Sequence, residues 1–303
     1  MEINDFLTYI QKTKRVSENT VSAYKQDLVA FKKFLKENRI MTFSQATNTQ
    51  VVAYLMELKS TGKSKATVNR KLASIRAFYR FLIRGGKIKE NPTEGIKSPK
   101  ISRKGISFLS IEEIERLLEK PDDSVKGKRD RAMLELLYAT GIRVSEIIEL
   151  EISDVNINMG FVKCSGSHGR ARIVPMGIPA KNALLDYLEN SRPALIRDRE
   201  DEGKSWLFVN YMGEIFTRQG FWKILKQYGK MAGLDEKLTP QTLRNSFAMH
   251  MVQNGIDIKS LQELMGHEDI IATQVYFEHM RKRIKDVYDK THPRALMDID
   301  RKM

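Results

Sequence analysis

Gly160-Phe161-Val162-Lys163-Cys164-Ser165-Gly166-Ser167-His168-Gly169-Arg170-Ala171-Arg172-Ile173-Val174 stands apart from the sequence around it. Two apolar arms, Phe161-Val162 and Ile173-Val174, flank a Gly-Ser-His-Gly turn, which is the pattern of a β-hairpin. On either side, apolar residues recur at intervals of three and four. Residues 18–38 place Val21, Tyr24, Leu28, Phe31 and Leu35 on one helical stripe, with Ser17 as a candidate N-cap. Residues 44–60 do the same with Val51, Tyr54, Leu55 and Leu58. A third helix, capped by Ser64, runs to Arg84 with Val68, Leu72, Ile75, Tyr79 and Leu82, and stops at Gly85-Gly86. Ser110 opens a further helix, and the pattern returns at 128–138, 180–191, 217–232, 239–254, 259–265 and 271–288. The fold class predicted is mainly α with a small antiparallel β-sheet.

Residues 85–105 carry Gly, Pro, Lys and Ser without apolar period and read as a linker between two lobes. Charge divides the chain in the same region. Residues 1–109 hold 22 Lys and Arg against 8 Asp and Glu, whereas residues 110–303 hold 30 of each. The whole net charge of +14 therefore sits in the first third, which points to a polyanion partner. The basic residues are spread over several helices rather than one amphipathic anchor, so nucleic acid is favoured over a membrane surface. In the third helix Lys65, Asn69, Arg76 and Arg80 fall beside the apolar stripe, a face able to lie along phosphates.

Other classes are disfavoured. A single cysteine, Cys164, excludes an intramolecular disulfide and fits a cytoplasmic location. The first fifteen residues mix Glu2, Asp5 and Lys12 with apolar ones and lack the core of a signal peptide. No uncharged apolar run approaches the ~18–20 residues of a membrane helix. No cluster of carboxylates and histidines suggests a metal site.

Several separate motifs carry a resemblance. They are Ala139-Thr140-Gly141-Ile142-Arg143-Val144-Ser145-Glu146, Leu243-Arg244-Asn245-Ser246-Phe247-Ala248, Leu264-Met265-Gly266-His267, and Thr273-Gln274-Val275-Tyr276, whose tyrosine follows the histidine by nine residues. His292-Pro293-Arg294-Ala295 near the end and, in the first lobe, Asn19-Thr20 to Tyr24 and Asn91-Pro92 add to them. In this order and spacing they resemble the tyrosine recombinase (phage integrase) family, of the Xer type, over nearly the whole chain. The resemblance implies an N-terminal helical core-binding (SAM-like) domain at 1–86, a basic linker at 87–109, and a mostly helical catalytic domain at 110–303. It implies site-specific recombination of double-stranded DNA through a 3′-phosphotyrosyl intermediate, by a homo- or hetero-tetramer on paired sites, with the 280–303 end docking on a neighbouring subunit. No cofactor is implied, because arginines supply the positive charge that magnesium would otherwise bring.

Under that resemblance Tyr276 is the nucleophile. Arg143 and Arg244 hold the non-bridging oxygens and stabilise the charge that develops on them. His267 donates to, or orients, the phosphate. A free phenol has a pKa of about 10, so a positive cluster nearby is expected to help it ionise. Tyr24, Tyr54, Tyr79 and Tyr138 read as core aromatics, and His250, His279 and His292 as structural.

The pattern also departs from the family. Ser167 stands where the family has the lysine that protonates the leaving oxygen. Gln241 stands where it has histidine, and Asn245 where Xer proteins commonly have another. Serine is a poor general acid and glutamine no base; losing one proton-transfer group slows a reaction by about 10²–10⁴-fold. His168, Arg170 and Lys163 are the replacements at hand, His168 first. Two readings follow: an active recombinase, or a catalytically weak or inactive recombinase-like DNA-binding protein that supports an active partner.

Overall fold

The computed structural model describes residues 2–14, 16, 18–100, 105–165, 171–196, 205–267 and 269–291 of the chain. It divides into two compact units, Met1–Lys104 and Gly105–Met303.

The first unit is built from α1 (Glu2–Lys14), α2 (Glu18–Glu37), α3 (Asn48–Ser60) and α4 (Lys65–Arg84). The predicted stripes become its core: Leu28, Phe31, Val51, Leu72, Ile75, Tyr79 and Leu82 are inaccessible to solvent. Burial of each such side chain stabilises the fold by about 1.5–3 kcal/mol. Helix α1 was not among the predicted helices, although Phe6, Leu7 and Ile10 fall on one face and are buried. Helix α3 begins at Asn48, not at Ser44, because Phe43–Gln45 forms a 3₁₀ turn. The Gln45 side chain accepts from the amides of Met41 and Thr42 there, both at 3.2 Å, and ties off the turn. Ser64 caps α4 as expected, accepting from Thr67 N. Ser17 lies outside the described residues. A carboxylate enters the core with its partners: Asp27, 1% exposed, accepts from Arg70, Lys71 and Ser74 at 2.6, 3.1 and 2.8 Å.

The stretch read as a linker packs largely on this unit. Asn48 Nδ2 donates to the carbonyls of Pro92 and Glu94, and Asn69 Nδ2 to that of Pro99 at 2.9 Å. Arg76 donates to Ser98 Oγ and the Ile96 carbonyl. Ile88 and Ile96 lie against the core. Two of the four residues assigned to the phosphate face, Asn69 and Arg76, thus hold the chain's own backbone, while Lys65 and Arg80 are exposed.

The second unit runs α5 (Ile111–Leu118), α6 (Val125–Thr140), α7 (Val144–Ile148), β1 (Val155–Asn156), β2 (Phe161–Ser165), β3 (Ala171–Pro175), α8 (Ile178–Asn190), α9 (Arg192–Leu195), α10 (Arg218–Met231), α11 (Pro240–Gln253), α12 (Ile258–Met265) and α13 (Ile271–Thr291). The sheet is antiparallel in the order β1-β2-β3, so the hairpin is present and a two-residue strand extends it. Its register sets Val162 opposite Val174 and Cys164 opposite Arg172. Opposed residues share a face, and Val162, Cys164 and Val174 turn theirs into the core. Burial pushes the Cys164 thiol up to about 12, so it is fully protonated at neutral pH. Among the described residues no helix is long and apolar enough to cross a membrane.

Candidate active site

Four separate elements bring the motif residues to one turn, Met265-Gly266-His267. Helix α6 stops at Gly141, whose φ of 58° is left-handed. A Cβ there would overlap the Phe247 ring of α11, so glycine is required both by backbone conformation and by helix packing. The chain then turns through buried Ile142 to Arg143, the residue preceding α7. Glu146, one helical turn on, reaches back: its Oε2 accepts from the Arg143 amide at 2.7 Å and its Oε1 from Arg143 Nη1 at 2.9 Å. The remaining Nη2 donates to the Gly266 carbonyl at 2.8 Å.

Arg244 comes from α11, which Thr239 caps by accepting from Thr242 N at 2.9 Å. It is 6% exposed and donates to the carbonyls of Gly141 and Met265. Burial, then the neighbouring Arg143 charge, pulls its pKa down to about 10. It remains a cation at neutral pH, held where another positive charge already stands. His267 follows Gly266, a left-handed residue with φ of 60°. Its Nδ1 lies 2.8 Å from Thr273 Oγ1. Burial, reinforced by Arg244, Arg143 and Arg172, lowers its pKa to about 4, so the ring is neutral near pH 7. With Thr273 as donor, the ring proton sits on Nε2 and is available to an incoming anion.

Tyr276 lies in α13, 4% exposed, and its hydroxyl donates to Asn245 Oδ1 at 3.0 Å. Gln241 Nε2 donates to the same oxygen at 2.8 Å, and Asn245 Nδ2 donates to the Ser107 carbonyl at 2.9 Å. The expectation that the positive cluster favours the phenolate is not met in the free protein. Burial raises the Tyr276 pKa, and the opposing effect of Arg244 is smaller. The phenol is neutral at rest.

The remaining expectations divide. Gln241 is exposed on α11 and supports Asn245. Lys163 is exposed on β2 opposite Ile173, on the face of the sheet away from Arg172. Ser167, His168 and Arg170 lie outside the described residues, as does His292. His250 takes the structural role assigned to it, with Nδ1 2.9 Å from Tyr138 Oη, and His279 lies edge-on to Phe108. The sequence reading passed over Glu146, Arg172 and Thr273. Glu146 had a signal, three residues after Arg143 on a helix; Arg172 had none beyond strand alternation. Among the described residues no group of His, Cys, Asp and Glu is placed to hold a metal ion.

Residues 107–283 match the phage integrase family, and residues 3–86 match the phage integrase N-terminal SAM-like domain. The chain belongs to the phage integrase family. The tyrosine recombinase XerD of Oceanobacillus iheyensis is 44% identical to this recombinase over 296 residues, covering 97% of this chain and 98% of the relative. That of Listeria innocua is 40% identical, covering 97% and 99%. Among solved structures, a XerH site-specific recombinase in a post-cleavage complex with a palindromic difH substrate shares the fold. Its TM-score is 0.75 at 19% identity, over 95% of this chain and 84% of that one. The recombinase therefore has a SAM-like helical domain ahead of a catalytic domain of the integrase fold, as its motifs implied.

Proposed function

We propose that this recombinase cuts and rejoins double-stranded DNA at specific sites through Tyr276. In the forward step the Tyr276 oxygen bonds to the scissile phosphorus and the bond from phosphorus to the 5′ oxygen breaks. The phenol loses one proton and the 5′ oxygen gains one, which leaves a 3′-phosphotyrosyl link and a 5′-hydroxyl. Attack by another strand's 5′-hydroxyl reverses the step without an external energy source.

The observation that carries this reading is the convergence of Arg143, Arg244 and His267 on one turn, with Tyr276 buried in the following helix. A phosphodiester is a monoanion, and paired guanidinium donors are suited to its two non-bridging oxygens. Arg143 and Arg244 take that role here, and neutral His267 adds a hydrogen bond. The likeness to a XerH recombinase held on a palindromic difH substrate supports a duplex partner; the assembly of four subunits on paired sites is what the family resemblance implies. Exposed Lys65 and Arg80 serve as phosphate contacts of the first lobe. A cytoplasmic site of action is part of this reading, and the single, reduced cysteine fits it.

The test is a nicked duplex selected from a random pool by binding to the full chain, with products run on a denaturing gel. Wild-type protein should give a covalent protein–DNA band and Tyr276→Phe none. A band that survives in Tyr276→Phe would refute the assignment of the nucleophile.

A further inference from the structure

We infer that Arg172 is a positioning residue for strand cleavage, one that fixes Arg143 through the Glu146 carboxylate and through the Gly266 carbonyl. The inference rests on the reading of Arg143 as a phosphate-binding group.

Arg172 projects from β3 with its side chain 12% exposed. Its Nη1 and Nη2 donate to the two oxygens of Glu146 at 2.8 and 2.9 Å, a bidentate pair. Its Nε donates to the Leu264 carbonyl at 2.8 Å, at the end of α12. Those same Glu146 oxygens receive Arg143 Nη1 and the Arg143 amide. One carboxylate therefore carries four charge-assisted bonds and cannot rotate without breaking the pair on β3. Burial alone would raise the Glu146 pKa, but the bonds and charges of Arg172 and Arg143 bring it below the usual carboxylate range. Glu146 stays ionised and keeps both guanidinium groups in place.

The second contact is with the turn. A Cβ added to Gly266 would stand 2.7 Å from Arg172 Nη1 and 2.8 Å from Cζ, so the guanidinium lies directly under the Gly266 backbone. The carbonyl of that residue is the acceptor for Arg143 Nη2. Arg172 thus braces both anchors of Arg143, the carboxylate at one end and the carbonyl at the other. Arg143 itself is 33% exposed, and a long side chain at that exposure would otherwise sample several rotamers. Two guanidinium charges on one carboxylate leave a net positive charge at the site. Lysine could not substitute, because a point charge cannot span both carboxylate oxygens while holding the Leu264 carbonyl.

The experiment uses the full-length protein and the selected nicked duplex. Duplex Kd, single-turnover rate of adduct formation and melting temperature are measured for wild type, Arg172→Met, Arg143→Ala and the double variant. Arg172→Met should leave Kd within about threefold and slow adduct formation by about 10²-fold, the scale of a misplaced catalytic group. In the Arg143→Ala background the same change should slow it further by less than about threefold, because its target is gone. A purely structural arginine would give equal losses in both backgrounds, and that result overturns the inference, as does a near wild-type rate for Arg172→Met. If Arg172→Met does not fold, Arg172→Lys replaces it in the same comparison, with a loss of about tenfold expected in the wild-type background only. Tyr276→Phe runs alongside. An adduct in that variant removes the reading of the site, and this inference with it. A dead Tyr276→Phe beside an unimpaired Arg172→Met removes the inference alone.

Discussion

The hydroxyl of Tyr276 donates to Asn245 Oδ1 across 3.0 Å, and Gln241 Nε2 shares that acceptor. The two residues that break the family's histidine pattern together hold the hydroxyl of the proposed nucleophile at rest. The hydrogen bond and the burial both favour the neutral phenol, so the proposed attack on phosphorus requires the tyrosine to leave Asn245 first.

This arrangement predicts an order of stabilities. Asn245→Ala strands a buried phenolic hydroxyl and should lower unfolding free energy by about 1–3 kcal/mol. Tyr276→Phe removes only the donor, while Asn245 Oδ1 keeps Gln241, and should lower it by about 0.5–1.5 kcal/mol. Urea denaturation of both variants and of the double variant checks the order. Losses that simply add in the double variant would mean that the bond contributes nothing to the free protein.

The histidine predicts a pH dependence of stability. Its pKa falls from 6.5 to about 4 on folding, with burial the largest cause and the arginines adding to it. The unfolded chain then binds the proton more readily, so the stability contributed by neutral His267 is complete above pH 6.5 and is lost as pH falls toward 4. Burial moves His250 in the same direction. Denaturation midpoints measured between these pH values should rise less steeply with pH in His267→Asn than in wild type.

Gly141 predicts a large effect from a single methyl group. Alanine there must adopt a left-handed backbone and displace the Phe247 ring. The expected loss is about 2–5 kcal/mol, from strain of about 1–2 and overpacking of about 1–3. Thermal denaturation of Gly141→Ala reads it directly. Because the Gly141 carbonyl also accepts from Arg244, adduct formation should fall as well.

The first unit predicts two separable phenotypes on one helix. Asn69→Ala with Arg76→Ala frees the backbone at 96–99, and limited proteolysis should then cut in that region sooner. Lys65→Ala and Arg80→Ala leave that backbone alone. Each should lower the slope of log Kd against log salt by about 0.9, the signature of one lost phosphate contact. An unchanged slope would remove these two residues from the DNA interface.

Much of this was legible in the sequence. The stripes of α2, α3 and α4 were readable because each buries one face in a single core, so the three- and four-residue period survives. Helix α1 went unread although Phe6, Leu7 and Ile10 carry the same signal in a shorter form. Helix α7 spans only Val144–Ile148, too few residues to display a period. The arginines, the histidine and the tyrosine were legible because each sits inside a local motif. Arg172 was not, because its partners Glu146 and Leu264 lie 26 and 92 residues away along the chain. Asn69 and Arg76 were read as facing outward; periodicity gives the side of a helix but not which segment later covers it.

The buried thiol has a practical consequence. Cys164 is the only cysteine of the chain, is fully enclosed, and keeps its proton to about pH 12. Alkylating reagents act on exposed thiolates, so the native protein should pass through maleimide untouched. A cysteine introduced at an exposed position such as Lys65 would then carry the sole fluorophore or spin label. Motions of either unit could be followed by spectroscopy on a chain otherwise left as it is.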